Sequence, residues 1–186
     1  MEASVTWDNV VFQVESIDTP PIGEFLSAFG SVYVNGGVIV RSYRMAKETH
    51  FDHGLQHYTK STDQIFRALL TNPSVMSALP ELEIRLPLKP VPRFSLLSAF
   101  AMEGELTHLL LCGGAYQQYE SVARARKLTR RFMESLVGEK MQNVGLAGYS
   151  STPWTTWYYN AAWDATFVLY QQKARRFVVI CLTDTD

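Results

Sequence analysis

The chain has 186 residues, with 47% hydrophobic and 19% charged side chains and a formal net charge of −1. A chain of this length buries roughly 70% of its unfolded surface and needs neither metal nor disulfide to fold, and these fractions are those of a globular protein. The near-zero charge excludes a general electrostatic pull toward nucleic acid or an anionic membrane, and every uncharged apolar stretch falls well short of the ~20 residues that cross a bilayer as a helix.

In chain order, Val5, Trp7, Val10, Phe12 and Val14 predict a first strand over residues 5–14, ended by Thr19-Pro20-Pro21. A short helix is expected over residues 22–29. Asn35-Gly36-Gly37, set between Val32-Tyr-Val34 and Val38-Ile-Val40, predicts a hairpin over residues 32–43, because both positions of its turn need positive φ. Residues 44–60 are mostly polar. Ser61 and Gln64 then have capping-box spacing ahead of Ile65, Phe66, Leu69 and Leu70, which predicts a helix closed by Asn72-Pro73. Residues 81–86 alternate charged with apolar and read as a strand with one wet face. Pro87, Pro90 and Pro92 make the next connection stiff and extended and keep this segment off a central strand position.

The apolar runs 94–102 and 106–111 leave helix and strand both open. Gly113-Gly114 breaks the chain before the longest predicted helix, residues 116–137. Its apolar stripe is Tyr119, Val122, Ala125, Leu128, Phe132 and Leu136, and Gly138 is expected as its left-handed cap. Residues 143–153, rich in Gly and Ser, read as a loop. After an aromatic run come two β-rich segments, residues 164–170 and 177–182, around a charged tip. They predict a hairpin whose second strand, apolar at six consecutive positions, lies centrally in a sheet with both faces covered. These elements define a single α+β domain over residues 1–186, with a mainly antiparallel sheet and helices packed on one face. Ending on its own core strand, the chain is expected to be a complete domain.

Four groups of residues can carry chemistry. His50, His53 and His57 fall within eight residues and share one face of a helix at i, i+3 and i+7, with Asp52 or Glu48 near them. This is spacing for a metal and the basis of an alternative reading as a small metal-dependent enzyme, although Gly54 weakens the helix and the metalloprotease Glu is missing. Cys112 and Cys181 both lie in apolar runs and are expected to be buried free thiols of a reducing compartment. His108 lies four residues before Cys112, and Gly113-Gly114 is a weak phosphate-cradle signal. The helix over 116–137 carries Arg124, Arg126, Lys127, Arg130 and Arg131 against Glu120 and Glu134, which keeps a nucleic-acid or nucleotide binder as a further alternative. Lys173, Arg175 and Arg176 form a second basic cluster at the hairpin tip.

The last group is the aromatic run with its neighbouring carboxylates. Trp154, Trp157, Tyr158 and Tyr159 are residue types that dominate contact surfaces. Asp164 and Asp184 flank the open end of the hairpin, where paired carboxylates can hold a cation or a partner's Arg or Lys. The ending Ala162-Trp163-Asp164-Ala-Thr-Phe-Val-Leu-Tyr170, the basic tip, and Phe177-Val-Val-Ile-Cys-Leu-Thr183-Asp184-Thr185-Asp186 resembles that of small bacterial proteins of the polymorphic-toxin immunity class. The Gly113-Gly114-Ala115-Tyr116 step into a helix is similar too, and together these segments cover under half of the chain. The resemblance implies a cytoplasmic, non-enzymatic protein without a cofactor that binds one cognate protein toxin and blocks its active site. Trp154, Trp157, Tyr158, Asp164 and Asp184 are the expected partner-binding residues. Neither membrane nor nucleic acid is expected as a partner.

Overall fold

The computed structural model describes residues 10–46, 62–138, 141 and 143–186. The fold is α+β. Among the described residues, six strands form one antiparallel sheet: β1 (Phe12–Glu15), β2 (Gly37–Met45), β3 (Ser95–Leu96), β4 (Val144–Ser150), β5 (Ala165–Gln171) and β6 (Arg176–Thr183). Their spatial order is β1-β2-β6-β5-β4-β3. The helices are α1 (Pro20–Val32), α2 (Thr62–Leu70), α3 (Pro73–Ser77), α4 (Ala99–Cys112) and α5 (Val122–Val137).

The predicted C-terminal hairpin is the centre of the sheet. Ala165 pairs with Leu182 and Gln171 with Arg176, so β5 and β6 close around a four-residue tip. Every residue of β5 is buried, and so is every residue of β6 beyond Arg176. Alternate side chains feed two cores. Phe167, Leu169, Val178, Ile180 and Leu182 meet α1, α4 and α5 on one face. Val168, Tyr170, Phe177, Val179 and Cys181 face α2, α3 and the aromatic run on the other. The three long helices thus share one face, and shorter pieces cover the second. That second cover is what lets β5 and β6 be apolar on both sides.

Several elements differ from their sequence signals. The first strand already ends at Glu15, and Pro20 and Pro21 instead open α1, because a helix's first turn has no partner for their missing N–H groups. The helix runs on through Val32, burying Ile22, Phe25, Ala28, Phe29 and Val32, and the Phe25 ring stacks on Phe132 of α5 at 3.8 Å. No hairpin forms at Asn35-Gly36-Gly37. Neither glycine takes a positive φ, and β2 pairs with β1 and β6 instead. Gly36 serves a close crossing: a Cβ there would lie 1.9 Å from the Thr183 carbonyl oxygen.

Residues 81–86 are not a strand. A 3-10 turn over Pro80–Leu82 ends at Glu83, which is left-handed, and Leu86 is exposed despite its in-phase position. Leu79 and Leu82 anchor this turn in the second core instead. Asn72 follows the predicted helix as expected but also starts α3, where its Oδ1 accepts the Ser74 N–H at 3.0 Å. Ser61, the predicted cap of α2, lies outside the described residues. The undecided run 94–111 resolves into β3 and α4, with the Ser98 hydroxyl accepting the Ala101 N–H. The longest helix starts at Val122, capped by Ser121, and buries Ala125, Thr129, Phe132, Met133, Leu136 and Val137. Tyr119 and Val122 of the predicted stripe precede or begin it, and Val122 is exposed. Gly138 ends it at φ +80, donating its N–H to the Glu134 carbonyl at 2.8 Å.

Candidate functional site

The aromatic run is part of the second core. Trp154 is 2% exposed, and its indole N–H donates to Thr166 Oγ1 at 2.9 Å. The Tyr158 hydroxyl shares that oxygen at 2.5 Å, and its ring packs edge-on against Trp157 with centroids 5.1 Å apart. Trp154 and Tyr158 are buried and Trp157 is half-buried against the same cluster, whereas Tyr159 points outward. Trp154 and Tyr158, expected to anchor a partner, are instead buried where they cover the sheet's own second face, and Trp157 packs half-buried beside them. β5 and β6 leave apolar side chains on that face, and burial of such area outweighs its display.

Asp164 and Asp184 are corrected in the same way. Both carboxylates are buried. Asp164 accepts the Thr183 hydroxyl at 2.6 Å and the Ala161 N–H at 3.0 Å. Asp184 accepts the Asn35 N–H and the Ala115 N–H, each at 2.8 Å. The β5–β6 register brings both to one end of the hairpin, as expected, but each is satisfied by donors of its own chain. Gly114 explains the other half of this geometry. A Cβ there would lie 1.9 Å from Asp184 Oδ2 and 2.4 Å from the Val32 carbonyl oxygen. The anion received after Gly113-Gly114 is the chain's own carboxylate rather than a phosphate.

The basic face of α5 is partly neutralised. Arg130 pairs with Glu134 at 2.8 Å and Arg131 with Glu24 at 2.5 Å, which leaves Arg124, Arg126 and Lys127 exposed. Glu103 of α4 lies in reach of Arg130 and Arg126, although burial raises its pKa. Arg176 of the hairpin tip turns inward: its Nη2 donates to the Leu136 carbonyl at 2.7 Å and its Nε to Gln171. Arg176 therefore caps the end of α5 rather than extending its basic rows. His50, His53 and His57 lie outside the described residues. Among those that are described, no three His, Cys, Asp or Glu side chains gather as a metal-holding group, and no helix is long and apolar enough to cross a membrane.

Cys181 is a buried thiol, as expected, and burial pushes its pKa up to about 12. Cys112 is exposed, contrary to expectation. It closes α4 on the solvent side, because Ala99, Met102, Leu106 and Leu110 define that helix's inner face. His108, one turn earlier and also exposed, brings Nε2 to 3.5 Å and Nδ1 to 3.6 Å from Sγ.

One surface has no clear signature in the sequence. The start of α4 and the outer edge of β4 enclose a groove of about 390 Å³, lined by Leu96, Leu97, Phe100, Met141, Val144 and Leu146 among others. On its rim, Leu96 is 63% and Phe100 is 70% exposed. β3 pairs with β4 only at Tyr149 and Gly148, and Leu97 donates once more to Ala147. Among the described residues, no ladder pairing is made on the outer side of Val144–Leu146. The apolar run carries the signal without its phase: once Met102, Leu106 and Leu110 set the inner face, Phe100 falls outside it.

Compared with known families and curated proteins, the chain matches no family model and no curated protein.

Proposed function

We propose that this chain is a non-enzymatic protein-binding module, an inhibitor of the immunity type that covers a cognate toxin in the bacterial cytoplasm. The observation that supports it is the Leu96–Phe100 rim. Two large apolar side chains, 63% and 70% exposed, stand beside an apolar groove at a sheet edge. Exposed apolar area next to a cleft marks contact surfaces, and aromatic residues are enriched in their cores. The proposed contact is an extended segment of the toxin laid along the outer side of β4, with Phe100 and Leu96 closing over it. Backbone hydrogen bonds at a sheet edge and an apolar groove suit such a segment together. Inhibition is by occlusion, with the contact moved from the buried aromatic run to this rim.

The test is capture of the tagged protein from its native cells, washed at high salt and read by mass spectrometry. One stoichiometric protein partner is expected. Phe100→Ala should weaken that partner's binding by about 2 kcal/mol, or roughly thirtyfold, with unfolding unchanged because the ring contributes little to the core. Recovery of no partner from cells expressing the neighbouring genes overturns the reading. Full affinity in both Phe100→Ala and Leu96→Ala overturns the placement of the contact. In that preparation, stoichiometric metal lost on replacing His50 and His53 would instead favour the metal-enzyme alternative.

A further inference from the structure

We propose that the outer ridge of α5 docks an acidic helix of a protein partner, with Arg124, Lys127 and Arg131 as the contacting cations. The three side chains are exposed and stand at i, i+3 and i+7. They therefore form one row along the helix, opposite its inner face of Ala125, Thr129, Phe132 and Leu136. α5 carries five Arg or Lys against one Glu. Among the described residues, Arg124, Arg126 and Lys127 form no ion pair, and Arg131 is engaged by Glu24 at 2.5 Å.

The row works against the stability of its own helix. Ser121 caps the first turn, its hydroxyl accepting the Arg124 N–H at 3.3 Å. The third helical position after such a cap favours Glu or Gln, whose side chain reaches back to the cap's own N–H. Positive charge near a helix N-terminus also opposes the macrodipole. Arg124 holds that third position, and no acidic residue stands in the first turn. Lys127 with Arg131, and Arg126 with Arg130, repeat one sign a turn apart, which destabilises a helix further. An acidic partner reverses each of these costs, and stability given up in this way accompanies function.

The outline of the charge selects protein over nucleic acid. The basic strip is one helix wide. Glu24 of α1 bounds it on one side, and Glu103 of α4, in reach of Arg126 and Arg130, bounds it on the other. A phosphate backbone binds through many cations at once, and these flanking carboxylates repel it on a protein whose net charge is −1. Glutamates on one side of a partner helix repeat at the same i, i+3 and i+7 interval, about 6 Å for every four residues, and meet the row without crossing its flanks. No residue lining the β4 groove belongs to α5, so this contact is separate from the Leu96–Phe100 rim and does not depend on it.

The test titrates the full chain with a fluorescent alanine-rich peptide of about 20 residues, long enough to hold a helix, whose glutamates form one face at that interval. Two other probes are compared with it: a peptide of the same composition with its glutamates spread around the helix, and an oligothymidylate of equal charge. The one-faced peptide should bind tightest, with an affinity that falls as salt rises. Arg124→Glu with Lys127→Glu should weaken it by at least about tenfold, because each reversal exchanges an exposed attraction for a repulsion. Arg85→Glu with Arg93→Glu reverses as much charge at exposed positions outside α5, and should leave the affinity within about twofold. Arg124→Glu alone should raise the urea midpoint, since it completes the cap begun by Ser121, while it weakens the peptide. A midpoint lowered by Arg124→Glu means that the arginine serves the fold, and overturns the proposal. Absent peptide binding overturns it too, as does equal binding of the two peptides or tighter binding of the oligothymidylate. A loss in the Arg85 and Arg93 variant as large as that on α5 has the same consequence. Phe100→Ala should leave the peptide bound, so failure on α5 and failure at the β4 edge are told apart.

Discussion

Asp184 shows how far one side chain reaches in this fold. Its two oxygens accept backbone N–H groups from Asn35 and Ala115, 149 and 69 residues away in sequence. The carboxylate thus ties the end of β6 to the connection after α1 and to the turn after α4. Charge-assisted hydrogen bonds of this kind contribute more than neutral ones, and the donors left behind by their loss are costly. Asp184→Ala should destabilise the protein by about 2–4 kcal/mol, read as a lower urea midpoint at an unchanged slope. A loss under about 0.5 kcal/mol, the size of an ordinary surface substitution, would show that the clip contributes nothing. The hairpin pattern places Asp164 and Asp184 near one another, and that neighbourhood is right. The direction in which each carboxylate faces depends on Asn35, Ala115, Ala161 and Thr183, three of which carry no side-chain signal of an acceptor nearby.

At the scale of elements, β4 is the instructive case. Its Gly145, Gly148 and Ser150 signal a loop, yet it is the strand between β3 and β5. The glycines are there because aromatic rings approach the strand closely. A Cβ on Gly148 would lie 2.5 Å from Phe66 Cε2, and one on Gly145 would lie 3.1 Å from Tyr170. Strand glycines often mark such approaches. Gly148→Ala should cost about 1–3 kcal/mol by overpacking, measured by thermal or urea unfolding. Shortening the opposing ring with Phe66→Leu should recover part of that loss, and the double-mutant cycle should show a coupling above about 0.5 kcal/mol. Strict additivity would mean that the ring does not press on β4. The helices are easier to read. α2 and most of α5 keep to their apolar spacing, since a periodic stripe is a local property. The hairpin expected at Asn35-Gly36 fails because the same dipeptide suits a close approach to the Thr183–Asp184 backbone at the end of β6, and only the partner strand distinguishes the two.

The whole molecule carries a linked pH response. Burial raises the Cys181 thiol from its ordinary 9.0 to about 12, and desolvation raises the Tyr33, Tyr43 and Tyr158 phenols above their ordinary 10.0. Each group stays neutral in the folded protein at a pH where the unfolded chain has already released its proton. The native state then binds more protons than the unfolded state, so stability falls as pH rises. The contribution is fully present below about pH 9 and is lost as pH climbs toward 12, as the Cys181 values set the window. The urea midpoint should therefore drop between about pH 8 and about pH 11, and Cys181→Val should make that drop shallower. A midpoint flat across this range would mean that these groups ionise without unfolding.

What the sequence determined by itself is what short-range pattern can carry: the α+β class, the central C-terminal hairpin, the helical stripes of α2 and α5, and the burial of Cys181. Each rests on spacing within a few residues, and an apolar run or a 3.6-residue period constrains its own backbone wherever it is placed. The tertiary structure decided which faces are left over. Trp154 and Tyr158 look like contact residues until β5 and β6 require a cover for their second face. Phe100 looks like core until Met102, Leu106 and Leu110 claim the inner side of α4. Exposure is a property of the assembled layers, and no local pattern encodes the side from which another layer arrives.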